Sequence, residues 1–267
     1  MWRLVMLVVG ILSLVGCSTV PHSFRPADPL APIQFSYQSF EDVLSTHVHD
    51  GVVSYPGIAA DPRFALFLRQ LDRIDPNSLP TRNDRLAFWI NAYNAFAIKG
   101  ILDGGSPLTL LGRYRYFIAK ASPVGGAAIN LYDLEQKVLI PDFREPRIHF
   151  AIVCASRSCP KLKSWIYRPE RLEEQLEQSA RDFINDPTRN RFDREGKIAY
   201  LSQIFGWFEP EFAAAAGSLR RYVARYIADP ELARAIETVP YDVQFLTYDW
   251  RLNGIPPEMS SRADSSR

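Results

Sequence analysis

The segment TRNDRLAFWINAYNAFAIKGILDGG, residues 81–105, constrains the fold more than any other part of the chain. It begins with residues that cap helices and ends in two glycines, so it predicts one long helix. The middle of the segment is apolar on nearly every face. A helix of that kind has to be surrounded by other elements. We therefore expect this helix to lie at the centre of the folded core.

The segments around this helix predict a mixture of helices and strands. Apolar spacing indicates further helices at 40–48, 61–71, 130–140, 169–185, 204–212 and 218–228. Extended segments are indicated at 113–120, 147–154 and 241–250, with a hairpin around Glu195 and Gly196. This irregular order favours a single-domain α+β fold with a mixed or antiparallel sheet and packed helices over a parallel βαβ series.

The N-terminus has the pattern of a bacterial lipoprotein signal. The apolar run Leu4 to Val15 is shorter than the about 20 residues that a membrane-spanning helix needs. It ends in Leu-Val-Gly-Cys, which looks like a lipobox. We predict that residues 1–16 are a signal peptide and that Cys17 carries lipid, including palmitate. Ser18 follows the cysteine, which indicates an outer-membrane lipoprotein facing the periplasm.

The remaining organisation follows from composition. Residues 17–35 contain the lipidated cysteine and a proline-rich tether, residues 36–253 the globular domain, and residues 254–267 a polar, flexible tail. The chain has 31 basic and 30 acidic residues with no basic block. Nucleic-acid binding therefore has no electrostatic support, and the predicted membrane contact is made through the lipid anchor.

Cysteine usage predicts one disulfide. Of the three cysteines, lipidation of Cys17 leaves Cys154 and Cys159. An even pair in an oxidising compartment favours a bond between them, which would mainly fix the shape of one loop. A thiol enzyme that uses Cys154 or Cys159 stays open as an alternative.

His149 is the candidate general base. Histidine suits proton transfer near neutral pH, and Glu135 is the nearest carboxylate along the chain that could orient it. On an extended strand His149 and Cys154 would lie about 17 Å apart, too far for a base and its nucleophile. The alternative is a histidine that is simply packed and hydrogen-bonded in the core.

Polar residues in the central helix are the candidate ligand contacts. Asn91 and Asn94 are three residues apart and share a helix face, with Tyr93 between them. The amides either bond to neighbouring backbone, which is the favoured interpretation, or face a cleft. In a cleft, Asn91 would bind an oxyanion or substrate carbonyl, and Asn94, Tyr93 and Ser156 would contact ligand.

The chain offers few ligands for a metal. Four histidines and two available cysteines do not form the paired ligand sets of a structural zinc site. We predict neither a metal nor a cofactor. Aromatic residues are concentrated in FGWFEPEF and YDW, which indicates core packing or an aromatic-lined groove for peptide or glycan.

Several segments, in order, resemble a domain family of unknown function, DUF547. They are DGVVSYPGI, LAFWINAYNAFAIKGIL, INLYDLEQKVL, RIHFAIVCASRSCPKL, LSQIFGWFEPEF and YDWRLN, spanning about residues 38–253. The order of a polar-bearing helix and a later histidine is also distantly similar to papain-like and transglutaminase-like folds. There a cysteine begins the helix, whereas this chain has none between residues 18 and 153.

These features lead to three hypotheses. The first is a periplasmic domain that binds a polar ligand (a small molecule, peptide or glycan) or an envelope partner without catalysis. The second is a hydrolase or transferase with His149 as base, Glu135 orienting it and Asn91 or Asn94 binding an oxyanion or substrate carbonyl. The third is the thiol enzyme.

Overall fold

A computed structural model describes residues 20–21 and 23–257. Its helices are α1 (Gln38–His47), α2 (Tyr55–Ala60), α3 (Pro62–Arg73), α4 (Arg82–Leu102), α5 (Leu110–Tyr114), α6 (Leu131–Leu134), α7 (Ile140–Phe143), α8 (Leu172–Ile184), α9 (Gln203–Trp207), α10 (Glu209–Ala216), α11 (Leu219–Ala224) and α12 (Pro230–Thr238). Its strands are β1 (Val48–His49), β2 (Val52–Ser54), β3 (Ala121–Val124), β4 (Ala127–Asn130), β5 (Arg191–Asp193), β6 (Ile198–Leu201), β7 (Asp242–Phe245) and β8 (Gly254–Ile255). Short 3₁₀ turns and two π turns join some of them.

Helix α4 is the predicted central helix. Its start is fixed by a reciprocal cap: the N–H of Asp84 donates to Thr81 Oγ1, and the N–H of Thr81 donates to Asp84 Oδ2, both over 3.0 Å. Gly104 follows its end with φ of +79°, a conformation that glycine adopts readily. Its residues from Leu86 to Ile98 are all buried, which confirms the prediction that it lies inside the core.

The strands form small sheets of mixed character. Strand β2 pairs antiparallel with β1 and parallel with β8. Strands β3 and β4 make an antiparallel hairpin. Strand β6 pairs antiparallel with β5, across the predicted turn at Glu195 and Gly196, and parallel with β7. These sheets, packed among helices, confirm the α+β prediction.

Two predicted strands are wrong. Residues 113–120 form the end of α5 and a π turn, Arg115–Ala119. Residues 147–154 begin in a 3₁₀ turn, Pro146–Phe150, and continue as a loop. Pro146 starts that turn, and Asn94 then bonds the backbone that a neighbouring strand would otherwise bond. The distance predicted from an extended strand therefore does not apply, and His149 is carried by a turn and not by a strand.

The segment Leu131–Phe143 also differs from expectation. The helix predicted over 130–140 ends just before Pro141, yet Pro141 lies in the first turn of α7, a position that proline tolerates. The chain instead leaves the helix at Arg144, which has φ of +47°. Between α6 and α7 the helix widens into a π turn, Glu135–Leu139. Such turns occur often at functional sites, and this one begins at Glu135.

The apolar residues form two clusters that meet near His149. The first surrounds α4 and includes Ile148. The second contains Phe150 with aromatic residues of α8 to α11. Because Ile148 and Phe150 belong to different clusters, the turn that carries His149 lies at their junction.

Parts of the predicted tether and tail contact the folded domain. The ring of Phe24 lies 5.9 Å from that of Trp89, and the N–H of Leu30 donates to the carbonyl of Arg73 over 2.8 Å. Strand β8 begins the predicted tail and pairs with β2. The predicted signal peptide and Cys17 lie outside the described residues. No helix in the described part of the chain is long and apolar enough to cross a bilayer.

Candidate functional site

A pocket of about 210 Å³ opens at the junction of the two clusters. Its walls are largely aromatic and come from Tyr93, Tyr114, Phe117, Tyr132, Trp207, Phe208, Tyr248 and Trp250. The polar lining residues are Arg113, Glu135, Gln136 and His149, and the sulfur-bearing ones are Cys154 and Cys159. A concave apolar site with a few polar groups is the usual form of a small-molecule site.

His149 is held between two carboxylates. Its Nε2 lies 3.1 Å from Oε2 of Glu211, within hydrogen-bond distance. Its Nδ1 lies 3.9 Å from Oε1 of Glu135, which is longer than a hydrogen bond. The histidine side chain is only 1% exposed, whereas Glu135 is 17% and Glu211 29% exposed. Of the three, the carboxylates are therefore more exposed than the imidazole, and Glu135 is the one that lines the pocket.

Aromatic residues fix the orientation of the imidazole. The ring of Phe208 stacks on it with centroids 3.8 Å apart, and Phe212 meets it edge-on at 5.5 Å. Phe208 is the residue before α10, and Glu211 and Phe212 lie in the first turns of that helix. One short helix thus supplies both the stacking ring and the hydrogen-bond partner of His149.

Glu135 is a carboxyl group of the pocket whose pKa is shifted toward neutrality. Burial raises the pKa of Glu135 to about 7, and the negative charge of Glu211 acts in the same direction. Tyr93 OH lies 3.5 Å from Oε2 of Glu135, at the outer limit of a hydrogen bond. A carboxyl group with this pKa can give or take a proton near neutral pH.

The predicted pair of Glu135 and His149 does meet, but Asn91 lies elsewhere. The amide of Asn91 donates to the carbonyl of Tyr167 over 2.7 Å, and its oxygen accepts the N–H of Tyr167 over 3.0 Å. Both ends of this buried amide are therefore occupied by backbone. We do not include Asn91 among the candidate catalytic residues.

Asn94, like Asn91, bonds backbone groups with both ends of its side-chain amide. Its Nδ2 donates to the carbonyl of Ala151 over 3.0 Å, and its Oδ1 accepts the N–H of Val153 over 2.9 Å. The contacts thus fit the interpretation that the helix amides hold neighbouring loops. Of the proposed contacts on α4, Tyr93 alone lines the pocket.

Cys154 and Cys159 are joined by a disulfide with sulfur atoms 2.10 Å apart, as the cysteine count predicts. Ser156 is buried, and its hydroxyl lies 3.1 Å from the sulfur of Cys154 and 3.1 Å from the hydroxyl of Tyr248. Ser156 therefore lies behind the disulfide. It supports the pocket wall instead of contacting ligand directly.

The outer wall is a packed aromatic group. Tyr248 and Trp250 have ring centroids 4.5 Å apart, and Trp207 stacks on Trp250 at 5.8 Å. The guanidinium of Arg113 lies 4.6 Å from the ring centroid of Trp250, a cation–π geometry. FGWFEPEF and YDW, noted for their aromatic content, supply this wall. These two segments lie some 40 residues apart in the sequence, so only folding brings them into one wall.

Glu211 was the important residue missed by sequence reasoning. It follows Trp207 by four residues and Phe208 by three, and nothing in that spacing identifies it as the partner of His149. In residues 20–21 and 23–257, no three His, Cys, Asp or Glu side chains are grouped as a metal site requires.

Comparison with protein families gives one match. Residues 76–184 match the family model described as "Protein of unknown function, DUF547". The resemblance to DUF547 is confirmed. The DUF547 match includes Glu135, His149 and both cysteines of the disulfide, and it ends before Glu211 and Tyr248. No curated protein and no solved structure matches the chain.

Proposed function

We propose that the pocket binds a small ligand with an apolar body and one hydrogen-bonding group. The observation that carries this proposal is the separation of chemistry within the pocket: aromatic rings form most of the wall, and Glu135 with His149 forms one polar region. Such a site gains affinity from apolar burial and orientation from the few polar groups. This refines the hypothesis of a polar ligand, because the lining has more aromatic rings than polar side chains.

Exposed apolar side chains beside the pocket support an apolar ligand. Leu108, Leu110, Leu111 and Tyr114 are 56%, 61%, 57% and 53% exposed. Leu110 and Tyr114 also line the pocket. Exposed apolar side chains grouped beside a pocket are a recognised feature of ligand-binding sites.

Titration with the neutral fluorophore N-phenyl-1-naphthylamine tests the proposal. We expect saturable binding of one molecule per chain. Trp207→Ala should weaken it by about tenfold, because the variant loses an aromatic face and its buried area. Trp165→Ala is the matched control, since Trp165 lies outside this pocket. Equal effects of the two substitutions, or binding that does not saturate, would contradict the proposal.

A second candidate function is proton-transfer catalysis, favoured by the pKa of about 7 for Glu135. In this reading Glu135 is the general acid or base, and His149 is held by Glu211 behind it. The sequence predicts His149 as the base and Glu135 as the residue that orients it. These roles are exchanged here, because the histidine is almost fully buried and Glu135 is the more accessible group.

Hydrolysis of p-nitrophenyl butyrate, an ester with an apolar acyl chain, separates the two candidates. A catalytic Glu135 should give turnover with a pH midpoint near 7, and Glu135→Gln should abolish that turnover while fluorophore binding persists. Absence of turnover in the wild-type protein, together with retained binding, supports the binding function alone.

We also propose that the domain is anchored to the outer membrane through lipid on Cys17 and faces the periplasm. The support is the lipobox-like Leu14-Val15-Gly16-Cys17 together with Ser18 in the sequence, and a disulfide suited to an oxidising compartment. Mass spectrometry of the N-terminal peptide should find Cys17 with a diacylglyceryl group on its sulfur and an acyl chain on its amino group. Cys17→Ser should release the protein from the membrane fraction, and an unmodified Cys17 in the mature protein would refute this proposal.

A further inference from the structure

The disulfide lies in the wall of the pocket, and its two cysteine residues differ in exposure. Both cysteines line the pocket. Cys154 is partly exposed, whereas Cys159 is only 2% exposed. A molecule in the pocket can therefore reach the sulfur of Cys154 more readily than that of Cys159.

Hydrogen-bond donors surround the disulfide, and the backbone N–H among them is specific to the less accessible cysteine. The backbone N–H of Cys154 donates to Sγ of Cys159 over 2.9 Å. The hydroxyl of Tyr248 lies 3.1 Å from Sγ of Cys154 and 3.2 Å from Sγ of Cys159, and the hydroxyl of Ser156 lies 3.1 Å and 3.5 Å from these two atoms. Burial raises the pKa of Tyr248, which keeps its hydroxyl protonated and able to donate.

This arrangement suits a thiolate better than a disulfide. Sulfur in a neutral group is a weak hydrogen-bond acceptor, so several donors gain little from it. A thiolate carries a full negative charge, and hydrogen bonds to charged acceptors are markedly stronger. The surroundings of Cys159 therefore favour the state that forms when the disulfide opens.

We propose that Cys154–Cys159 is a redox-active disulfide that oxidises small dithiols, with Cys154 as the attacked sulfur and Cys159 as the leaving thiolate. This activity is independent of what else the pocket binds. It differs from a purely structural disulfide in one respect: donors placed around Cys159 stabilise the reduced form and so make the pair a better oxidant.

The reaction has two exchanges. A thiolate of the dithiol attacks Sγ of Cys154, a sulfur–sulfur bond forms there, and the bond to Cys159 breaks with its electron pair remaining on Cys159. The second thiol of the dithiol then loses its proton to water. Its sulfur attacks the first sulfur of the dithiol, which is bonded to Cys154 at this stage. This closes the substrate disulfide and releases Cys154, which takes a proton. The dithiol loses two electrons, and the protein disulfide gains them.

The test uses dithiothreitol as the dithiol and the full-length protein in its native state. The protein is equilibrated with mixtures of reduced and oxidised dithiothreitol, and free thiols are counted by alkylation and mass spectrometry. Thiolate absorbance at 240 nm in the Cys154→Ser variant, which keeps only the thiol of Cys159 in the pocket, then gives the pKa of Cys159. We expect reversible reduction without unfolding and a pKa below the ordinary value of about 8.5.

Tyr248→Phe removes one donor and should disfavour reduction about tenfold, because it weakens a hydrogen bond to a charged sulfur. Tyr167→Phe is the matched control: its hydroxyl bonds Ser179 over 2.8 Å, so the variant also loses a buried hydroxyl but leaves the disulfide untouched. Ser156→Ala, expected to act in the same direction as Tyr248→Phe, replaces it if that variant does not fold.

Three results would overturn the proposal. The first is reduction that occurs only with global unfolding, seen by circular dichroism. The second is a pKa of Cys159 at or above the ordinary value. The third is an equal effect of Tyr248→Phe and Tyr167→Phe on the redox equilibrium. Each would identify the disulfide as a structural link.

Discussion

Glu135→Gln should stabilise the protein, and the effect should depend on pH. Burial raises the pKa of Glu135 from its ordinary value of 4.5 to about 7. Between these two pH values the folded protein binds a proton that the unfolded chain has released. The stability contributed by this group is therefore greatest below pH 4.5 and is lost as the pH rises toward 7.

The size of the effect follows from the same two pKa values. Each tenfold change in proton affinity is worth about 1.4 kcal/mol. Complete ionisation in the folded state therefore costs about 3 kcal/mol, which is an upper bound because the side chain is 17% exposed. Glutamine has the shape of the protonated acid and does not ionise. It should exceed the wild type by less than about 1 kcal/mol at pH 5 and by up to about 3 kcal/mol at pH 8.

Urea unfolding at pH 5 and pH 8, followed by circular dichroism with the disulfide oxidised, measures this difference. Glu170→Gln is the control, because its side chain is 66% exposed and its charge is solvated in both states. A Glu135→Gln variant that is equally destabilised at the two pH values would refute the reasoning, since it would show that the carboxyl is stabilised in its charged form.

Three further predictions concern contacts outside the pocket. Asn94→Ala leaves two buried backbone groups without partners and should cost about 2–4 kcal/mol in urea unfolding. Hydrogen bonds from Arg63 hold the pKa of Asp61 well below its usual range, so Asp61 contributes stability above about pH 4 that is lost on acidification. The destabilisation of Asp61→Asn should accordingly shrink from pH 7 to pH 2. Lys161→Ala breaks only an exposed ion pair with Asp50 and should change stability by less than about 0.5 kcal/mol.

The central helix and its immediate limits could be predicted because their signals are local. Thr81 and Asp84 are three residues apart and cap the same turn, and the apolar residues that follow cover every face of the helix. The hairpin at Glu195 and Gly196 is similar, since turn residues and flanking strands lie within one short segment. Each of these features needs no information about distant parts of the chain.

The error at residues 147–154 shows where local patterns fail. The segment RIHFAIVC has the apolar, β-branched composition of a buried strand, yet its backbone partners are the amide of Asn94 and its own turn. A side chain some 57 residues away satisfies the groups that a neighbouring strand would otherwise bond. The composition of a segment predicts that it is buried. It does not predict which groups form hydrogen bonds with its backbone.

By itself, the sequence determined that the chain has an α+β core around one buried helix, a Cys154–Cys159 pair suited to a disulfide, and a possible partnership of Glu135 with His149. Only the tertiary structure decided that Glu211 binds His149, that Asn91 serves the backbone, and that Tyr248 lies against the disulfide. The physical reason is distance along the chain. Hydrogen bonds, pKa values and pocket walls depend on contacts between segments that only packing brings together.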